Sequence, residues 1–178
     1  MRRWVIVLAL ACVVSSALVG CSKSASSPSA SGASSTATTP AATCPTTMQK
    51  SFVKTRFAAD IGVIVGTTKH FVYTPYTQGK FTKGAHGRIL SIIKAGAAAA
   101  VVVHFVHNAI DNAKADPTLC KLLIQPLTDL SNALGSLKSK LKGGDLSAVT
   151  DLNSGVGMLE STAKSQGMSI VSKIAPGL

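Results

Sequence analysis

Histidines and carboxylates are the side chains of this sequence best suited to metal binding and acid–base catalysis, but their spacing forms no recognisable site. His104 and His107 lie three residues apart, a spacing that zinc ligands can use, but no further Cys, Asp or Glu is placed to complete a site. Because His107 shares a helical face with Val103 and Ile110, we expect a hydrogen-bonded histidine inside a bundle. The acids are scattered, with no pair spaced for acid–base work. We predict no catalytic residue, metal site or cofactor and no enzyme; an enzyme with a site assembled from scattered residues is an alternative.

Cys21 has a thiol that could be lipidated. Arg2 and Arg3 precede an apolar stretch over 4–14, and the run Leu18-Val19-Gly20-Cys21 follows. This segment resembles the signal peptide and lipobox of bacterial lipoproteins. The resemblance implies cleavage before Cys21, thioether lipidation of its thiol, acylation of the new amino terminus by a fatty acid such as palmitate, and an anchor on the extracytoplasmic face of the cell membrane. An ordinary secretory signal with an incidental cysteine is the alternative.

After the signal peptide, residues 1–20, the composition predicts a tether and one folded domain. Residues 21–43 comprise the lipidated cysteine and a stretch rich in Ser, Ala and Thr that lacks aromatic and large aliphatic residues. Such a stretch cannot bury a core, and we therefore predict a disordered linker. Residues 44–178 are expected to form a helical bundle domain, since this length suits one domain.

Two cysteines, Cys44 and Cys120, remain for the folded domain. In the oxidising compartment that a lipoprotein signal implies, we expect a disulfide between them, with two free thiols as the alternative. The chain carries a formal net charge of +11. A basic protein outside the cell favours anionic partners, and nucleic acid is not expected there.

The first of four predicted helices is expected to begin at a capping box formed by Thr46 and Gln49. It should end at Tyr73 or Thr74, because Pro75 disfavours helical geometry at the residue before it. Short strands at 61–65 and 71–73 are an alternative, since these residues are rich in β-branched and aromatic side chains. Gly62 and Gly66 in this helix, together with Gly96 and the alanines around it in the next helix, predict a close approach of two backbones.

The second helix is expected over 88–115, with a broad buried face. The positions on that face are Ile89, Ile92, Ile93, Gly96, Ala99, Ala100, Val103, Val106 and Ile110. Its uninterrupted apolar run, 95–103, is much shorter than the roughly 20 residues that a bilayer requires, and no membrane span is predicted.

The third helix should start at Asp116 and Pro117, an N-cap followed by proline at the first helical position. Leucines at steps of three and four residues predict one buried stripe, which could otherwise be a coiled-coil dimer seam. Its members are Leu119, Leu123, Leu127, Leu130, Leu134, Leu137 and Leu141. Asp145 should cap the fourth helix, which ends near Gly167. The expected fold is an all-α, up-down-up-down four-helix bundle with one disulfide.

Helix alternation puts the loop 74–87 beside the connection between the third and fourth helices, at the end far from Cys44 and Cys120. Cations and aromatic residues gather there and predict binding of an anionic polymer, lipid head groups or an acidic protein face. The candidate residues are Lys80, Lys83, Arg88, Lys138, Lys140, Lys142, Tyr76 and Phe81. The alternative is a solvated helix end, with the aromatic residues packing the loop onto the bundle.

Around this loop the chain also resembles an uncharacterised actinobacterial family of secreted or lipid-anchored helical proteins, over about residues 57–145. The residues that carry the resemblance are His70-Phe71-Val72-Tyr73-Thr74-Pro75-Tyr76, Gly79-Lys80-Phe81, Lys83-Gly84-Ala85-His86-Gly87-Arg88 and Lys94-Ala95-Gly96-Ala97-Ala98. This resemblance implies no activity. From the residues we expect a binding or envelope-structural module, with an accessory subunit of a membrane or envelope complex as the alternative.

Overall fold

The computed structural model describes residues 43–178, and these are helical without any strand. The elements are α1 (Val53–Thr68), a π-helical turn (Lys69–Tyr73), α2 (Thr74–Thr77), α3 (Arg88–Lys114), α4 (Pro117–Gly143) and α5 (Ser147–Ser165). Because α1, the π-helical turn and α2 follow one another without a break, this part of the chain contains four helices, as predicted. The signal peptide, Cys21 and the linker as far as residue 42 lie outside the described residues.

The leucine stripe of α4 forms the centre of the core. Its seven leucines are all buried, from Leu119 to Leu141. α4 packs on α3 and α5, and α1 packs on the same two helices, so the four contacts close into a ring. The stripe is thus buried within the chain itself and is not available as a dimer seam.

Both predicted features at the start of α4 are present. The Asp116 carboxylate accepts hydrogen bonds from the backbone N–H groups of Thr118 and Leu119, at 2.8 and 3.0 Å. Cys120, one turn further on, forms a disulfide with Cys44, with Cα atoms 5.7 Å apart. Because the two cysteines are 76 residues apart in sequence, the chain-entropy model gives a stabilisation of about 4 to 5 kcal/mol.

The predicted start of the first helix is wrong. The helix begins at Val53, and the Thr46–Gln49 capping box does not form. Instead the backbone N–H of Gln49 donates to the carbonyl of Ala115, 2.9 Å away. Together with the disulfide, this bond holds the segment before Val53 against the connection between α3 and α4.

The helix also continues past Pro75, where we expected it to end. Proline has no backbone N–H and obstructs a regular α-helical turn. Here the turn before it is widened: the backbone N–H of Thr74 reaches back five residues to the carbonyl of Lys69, and the Thr74 hydroxyl donates to the same oxygen at 2.8 Å. The wider π-helical turn accommodates the proline, and the continuous helix that began at Val53 ends only at Thr77.

The bounds of α3 agree with the prediction, but its buried face does not. The buried positions are Ile92, Ala95, Ala98, Ala99, Val102, Val106, Ala109 and Ala113. Ile89, Ile93 and Ala100, predicted to be in the core, are exposed. Because α3 is apolar on nearly every side, the sequence pattern does not determine which side is buried.

α3 also has the length and composition of a membrane-spanning helix, even though its uninterrupted apolar run is short. Helices in the cores of soluble proteins share these properties. In the most apolar 18-residue window of α3, 33% of the residues are buried. Much of this apolar helix therefore remains uncovered by the rest of the described chain.

The glycine pair of α1 lies against the C-terminal segment, which has no regular secondary structure after Gly167 and adds no helical turn. The backbone N–H of Lys173 donates to the carbonyl of Gly62 at 2.9 Å, and that of Ala175 donates to the hydroxyl of Thr67 at 2.8 Å. A Cβ at Gly62 or Gly66 would lie 2.2 Å from a backbone oxygen of this segment. The predicted close approach of two backbones is confirmed at Gly62 and Gly66, with the C-terminal segment as the partner; at Gly96 it is wrong, because the side chain of Lys138 packs there instead.

Replacing Gly62 by Ala tests this packing. The added Cβ would overlap the carbonyl oxygen of Val171 and displace the segment, and we expect a loss of about 1 to 3 kcal/mol in the free energy of unfolding. The measurement is urea denaturation, with amide exchange at Lys173 as a local readout. Gly155 in α5 is the matched control, because nothing lies within 4 Å of its Cβ position. Gly155→Ala should stabilise by up to about 1 kcal/mol. An equal gain for Gly62→Ala would contradict the described packing.

Candidate functional site

The loop between α2 and α3 is a chain of tight turns. The backbone N–H of Lys80 donates to the carbonyl of Pro75, and that of Thr82 donates to the carbonyl of Gly79. Gly79, Gly84 and Gly87 adopt left-handed conformations, with φ values of 69°, 85° and 73°, which cost glycine little. These bonds hold the loop in a defined shape without regular secondary structure.

Arg88 joins this loop to the end of α4. Its Nε donates to the carbonyl of Phe81 at 2.9 Å. Its Nη2 donates to the carbonyls of Leu141, at 2.8 Å, and Lys142, at 3.3 Å. The last carbonyls of a helix lack hydrogen-bond donors within the helix and carry a partial negative charge. A guanidinium group supplies both the missing donors and a positive charge. Arg88, predicted as an anion-binding cation, therefore has donors committed to the protein backbone.

The chain leaves α4 through a glycine turn beside the loop. Gly144 has φ 88°, and the backbone N–H of Asp145 donates to the carbonyl of Lys140 at 2.9 Å. The Cε of Lys83 comes within 3.3 Å of the position that a Cβ on Gly144 would take. The loop and the connection between α4 and α5 are thus in direct contact, as predicted.

Five exposed lysines surround this contact, and we call them the basic pole: Lys80, Lys83, Lys138, Lys140 and Lys142. The methylene stem of Lys138 crosses α3 at Gly96, where its Cδ lies 3.0 Å from the position of a Cβ. Within residues 43–178 there is one ion pair, between Lys164 and Glu160 of α5, at 2.6 Å. No lysine of the basic pole is therefore neutralised by an ion pair among the described residues.

Asp145 is the acid at the basic pole, and its carboxylate bonds Ser147, the first residue of α5, whereas the N-cap position is Leu146 and not Asp145 as predicted. Its Oδ1 accepts from the hydroxyl of Ser147 at 2.6 Å and from the backbone N–H of the same residue at 3.1 Å. The Ser147 hydroxyl bond, assisted by the positive charge of Lys140, lowers the pKa of Asp145 below its usual value. The carboxylate therefore stays ionised and reduces the positive charge of the pole.

The two aromatic candidates have different positions. Phe81 is 1% exposed and belongs to the core, where it fixes the loop to the bundle. Tyr76 is half-buried, and its ring centroid lies 6.2 Å from that of Tyr73. Phe81 is thus not accessible for stacking on a ligand, in agreement with the alternative in which aromatic residues pack the loop onto the bundle.

The two histidines of α3 are exposed, and the expectation of a buried His107 is wrong. Its Nε2 lies 3.4 Å from the hydroxyl of Ser131 on α4. His104 lies near Asn108, 3.4 Å between His104 Nε2 and Asn108 Nδ2. Residues 43–178 contain no group of three or more His, Cys, Asp or Glu side chains that could hold a metal ion.

Asp60 has an environment that the sequence did not reveal. It lies half-buried on α1 and accepts a hydrogen bond from Nδ2 of Asn112 at 2.9 Å. Burial raises its pKa above the ordinary value, although the Asn112 bond and the charge of His104 act in the opposite direction. The carboxyl lines a shallow depression that also contains Arg56 and Asp111. This depression is open to solvent, and one carboxyl with a raised pKa does not define a reaction there.

Three apolar residues at the start of α3 form a surface that sequence reasoning assigned in part to the core. Ile89, Leu90 and Ile93 are 73%, 57% and 51% exposed, and we call them the apolar patch. By contrast, α5 exposes one large hydrophobic residue, Met158, whose side chain is 58% exposed. α5 therefore has no exposed apolar cluster comparable to that of α3.

Arg88→Ala should separate the structural cation from the surface cations. Loss of the donors to three carbonyl oxygens is expected to lower the free energy of unfolding by about 2 kcal/mol. Lys142→Ala, which removes an exposed charge from the same helix end, should change it by less than about 0.5 kcal/mol. Urea denaturation of both variants checks this difference, and equal effects would show that the Arg88 hydrogen bonds do not hold the loop.

Compared with protein-family models, curated protein sequences and solved structures, the chain matches none. Its functional interpretation therefore depends on the residues and geometry described above.

Proposed function

We propose that this protein is a lipoprotein anchored through Cys21 to the extracytoplasmic face of the bacterial cell membrane, and that its basic pole binds an anionic component of the envelope. The component is a polymer or lipid that carries phosphate or carboxylate groups. This function is one of binding or envelope structure and involves no catalysis.

The convergence of five exposed lysines from two chain segments supports this proposal most strongly. Arg88 ties the loop to the end of α4, so Lys80 and Lys83 stay near Lys140 and Lys142. Holding like charges together is unfavourable unless a counter-charge is supplied, and Asp145 supplies only part of it. An anionic ligand would reduce the repulsion between the lysines and gain several charge-assisted hydrogen bonds.

The proposal includes an up-down-up-down arrangement of the helices. Two observations support antiparallel neighbours: Cys44 is bonded to the first turn of α4, and Arg88 at the start of α3 is bonded to the last turn of α4. α4 has 27 residues, which corresponds to about 40 Å of helix. The basic pole would then lie about that far from Cys44, where the chain leads back to Cys21.

Replacing Cys21 by Ser tests the anchor. Without the thiol no thioether can form, and we expect the protein to lose metabolic labelling with palmitate and to leave the membrane fraction after cell lysis. Cys12→Ala is the matched control and should remain labelled and membrane-bound, because Cys12 lies within the predicted signal peptide. A labelled, membrane-bound Cys21→Ser protein would contradict lipidation at Cys21.

The basic pole is tested with residues 21–178 carrying Cys21→Ser, which removes the anchor and retains all described residues. We expect this chain to bind isolated cell envelopes and to be released as ionic strength rises from about 0.01 to 1 M, since the Debye length falls from roughly 30 to 3 Å. Lys80→Ala with Lys83→Ala should weaken binding at least about tenfold. Lys54→Ala with Lys121→Ala removes two exposed lysines elsewhere and should have little effect. Binding that is independent of salt or of the pole lysines would exclude this function.

A further inference from the structure

We propose that the basic pole and the apolar patch together form a site for an anionic lipid bilayer surface. Ile89, Leu90 and Ile93 would insert into the boundary between head groups and acyl chains, while the pole lysines pair with lipid phosphates. This inference rests on the proposed function and specifies the anionic component as membrane lipid.

The apolar patch is a continuous surface. Ile93 lies four residues after Ile89 and three after Leu90, so it neighbours both on one side of α3. Exposed Ala97 and Ala100 continue the same side towards the middle of the helix. Single exposed hydrophobic residues are common on proteins, but adjacent ones in a helical stripe indicate an interaction surface.

Lysines border this surface directly. Ile89, Ile93 and Gly96 follow one another at steps of four and three residues and share a side of α3. The stem of Lys138 lies across Gly96, with its Cδ 3.0 Å from a Cβ position there. Lys94 is exposed one residue after Ile93. Cationic and apolar side chains therefore occupy one surface of the bundle.

This combination fits a bilayer better than a soluble polyanion. A hydrated polyanion offers charges to the lysines but no apolar phase for the isoleucines, which would remain in water. A bilayer of anionic lipids offers both, and interfacial binding strength depends on buried apolar area together with electrostatic attraction. The charge of the pole and the uncovered apolar side chains thus select the same occupant.

The linker is long enough for the pole to reach the bilayer that carries the anchor. The 22 residues between Cys21 and Cys44 span about 70 Å when extended. That length exceeds the roughly 40 Å of a bundle helix. The domain can therefore lie with α3 against the membrane, and the anchor raises the effective concentration of the pole at the lipid surface.

The test uses residues 21–178 with Cys21→Ser and two probes: phosphatidylcholine vesicles with and without phosphatidylglycerol, and soluble inorganic polyphosphate. We expect binding to vesicles that contain phosphatidylglycerol and not to phosphatidylcholine alone. Ile89→Ser with Ile93→Ser should weaken vesicle binding about tenfold or more and leave polyphosphate binding unchanged. Leu122→Ser with Met158→Ser, which alters residues 45% and 58% exposed elsewhere, should leave both unchanged.

Insertion has a separate readout that does not depend on losing binding. The only tryptophan of the sequence is Trp4, outside residues 21–178, so Ile93→Trp introduces a single reporter. Its fluorescence should shift to shorter wavelength on vesicles with phosphatidylglycerol and stay unchanged with polyphosphate.

The outcomes separate this inference from the proposed function. Unchanged vesicle binding by the isoleucine variant, or polyphosphate binding without vesicle binding, would overturn the lipid site and leave the anion-binding function intact. If Lys80→Ala with Lys83→Ala altered neither probe, both proposals would fail.

Discussion

The carbonyl oxygens at the end of α4 need hydrogen-bond donors, and Arg88 supplies them together with the backbone N–H groups of Gly144 and Asp145. Its guanidinium bonds the carbonyls of Leu141 and Lys142 and also that of Phe81. One side chain thereby joins the end of one helix, the start of the next and the loop before it. The position of the basic pole follows from these bonds, because the pole lysines lie on the segments that Arg88 connects. The disulfide performs a similar role at the first turn of α4.

α3 is apolar both on the side that packs in the core and on a side that faces solvent. Small residues such as Ala95, Ala98 and Ala99 are buried and allow close packing on neighbouring helices. Isoleucines and a leucine on the other side remain in solvent at its first turns. Burial explains the first set, while the second set has no partner among the described residues. In the proposed complex with a lipid bilayer, the exposed side of α3 contacts lipid while its buried side packs in the core.

The close contact between the C-terminal segment and α1 depends on two positions without a Cβ. Gly62 and Gly66 let a second backbone approach to a distance that any other residue would prevent. The segment closes over α1 with hydrogen bonds from Lys173 and Ala175. The signal in the sequence was the i, i+4 glycine pair, which indicated close packing but not the partner, since a helix and a segment without regular secondary structure both need the space that a missing Cβ leaves.

The sequence alone determined the helical class, the bounds of α3, the N-cap at Asp116 and the buried leucine stripe, because these depend on local geometry and on one strong 3.6-residue period. The tertiary structure decided where the first helix begins, which side of α3 is buried and which residues of the loop belong to the core. The first helix starts at Val53 because the disulfide and the Gln49–Ala115 bond hold the preceding residues elsewhere. The buried side of α3 follows from its neighbours, since a helix that is apolar on nearly all sides has no preferred face of its own. Arg88 and Phe81 could be assigned to the framework, and Ile89 and Ile93 to the surface, only once the distant carbonyls and packing partners were in place.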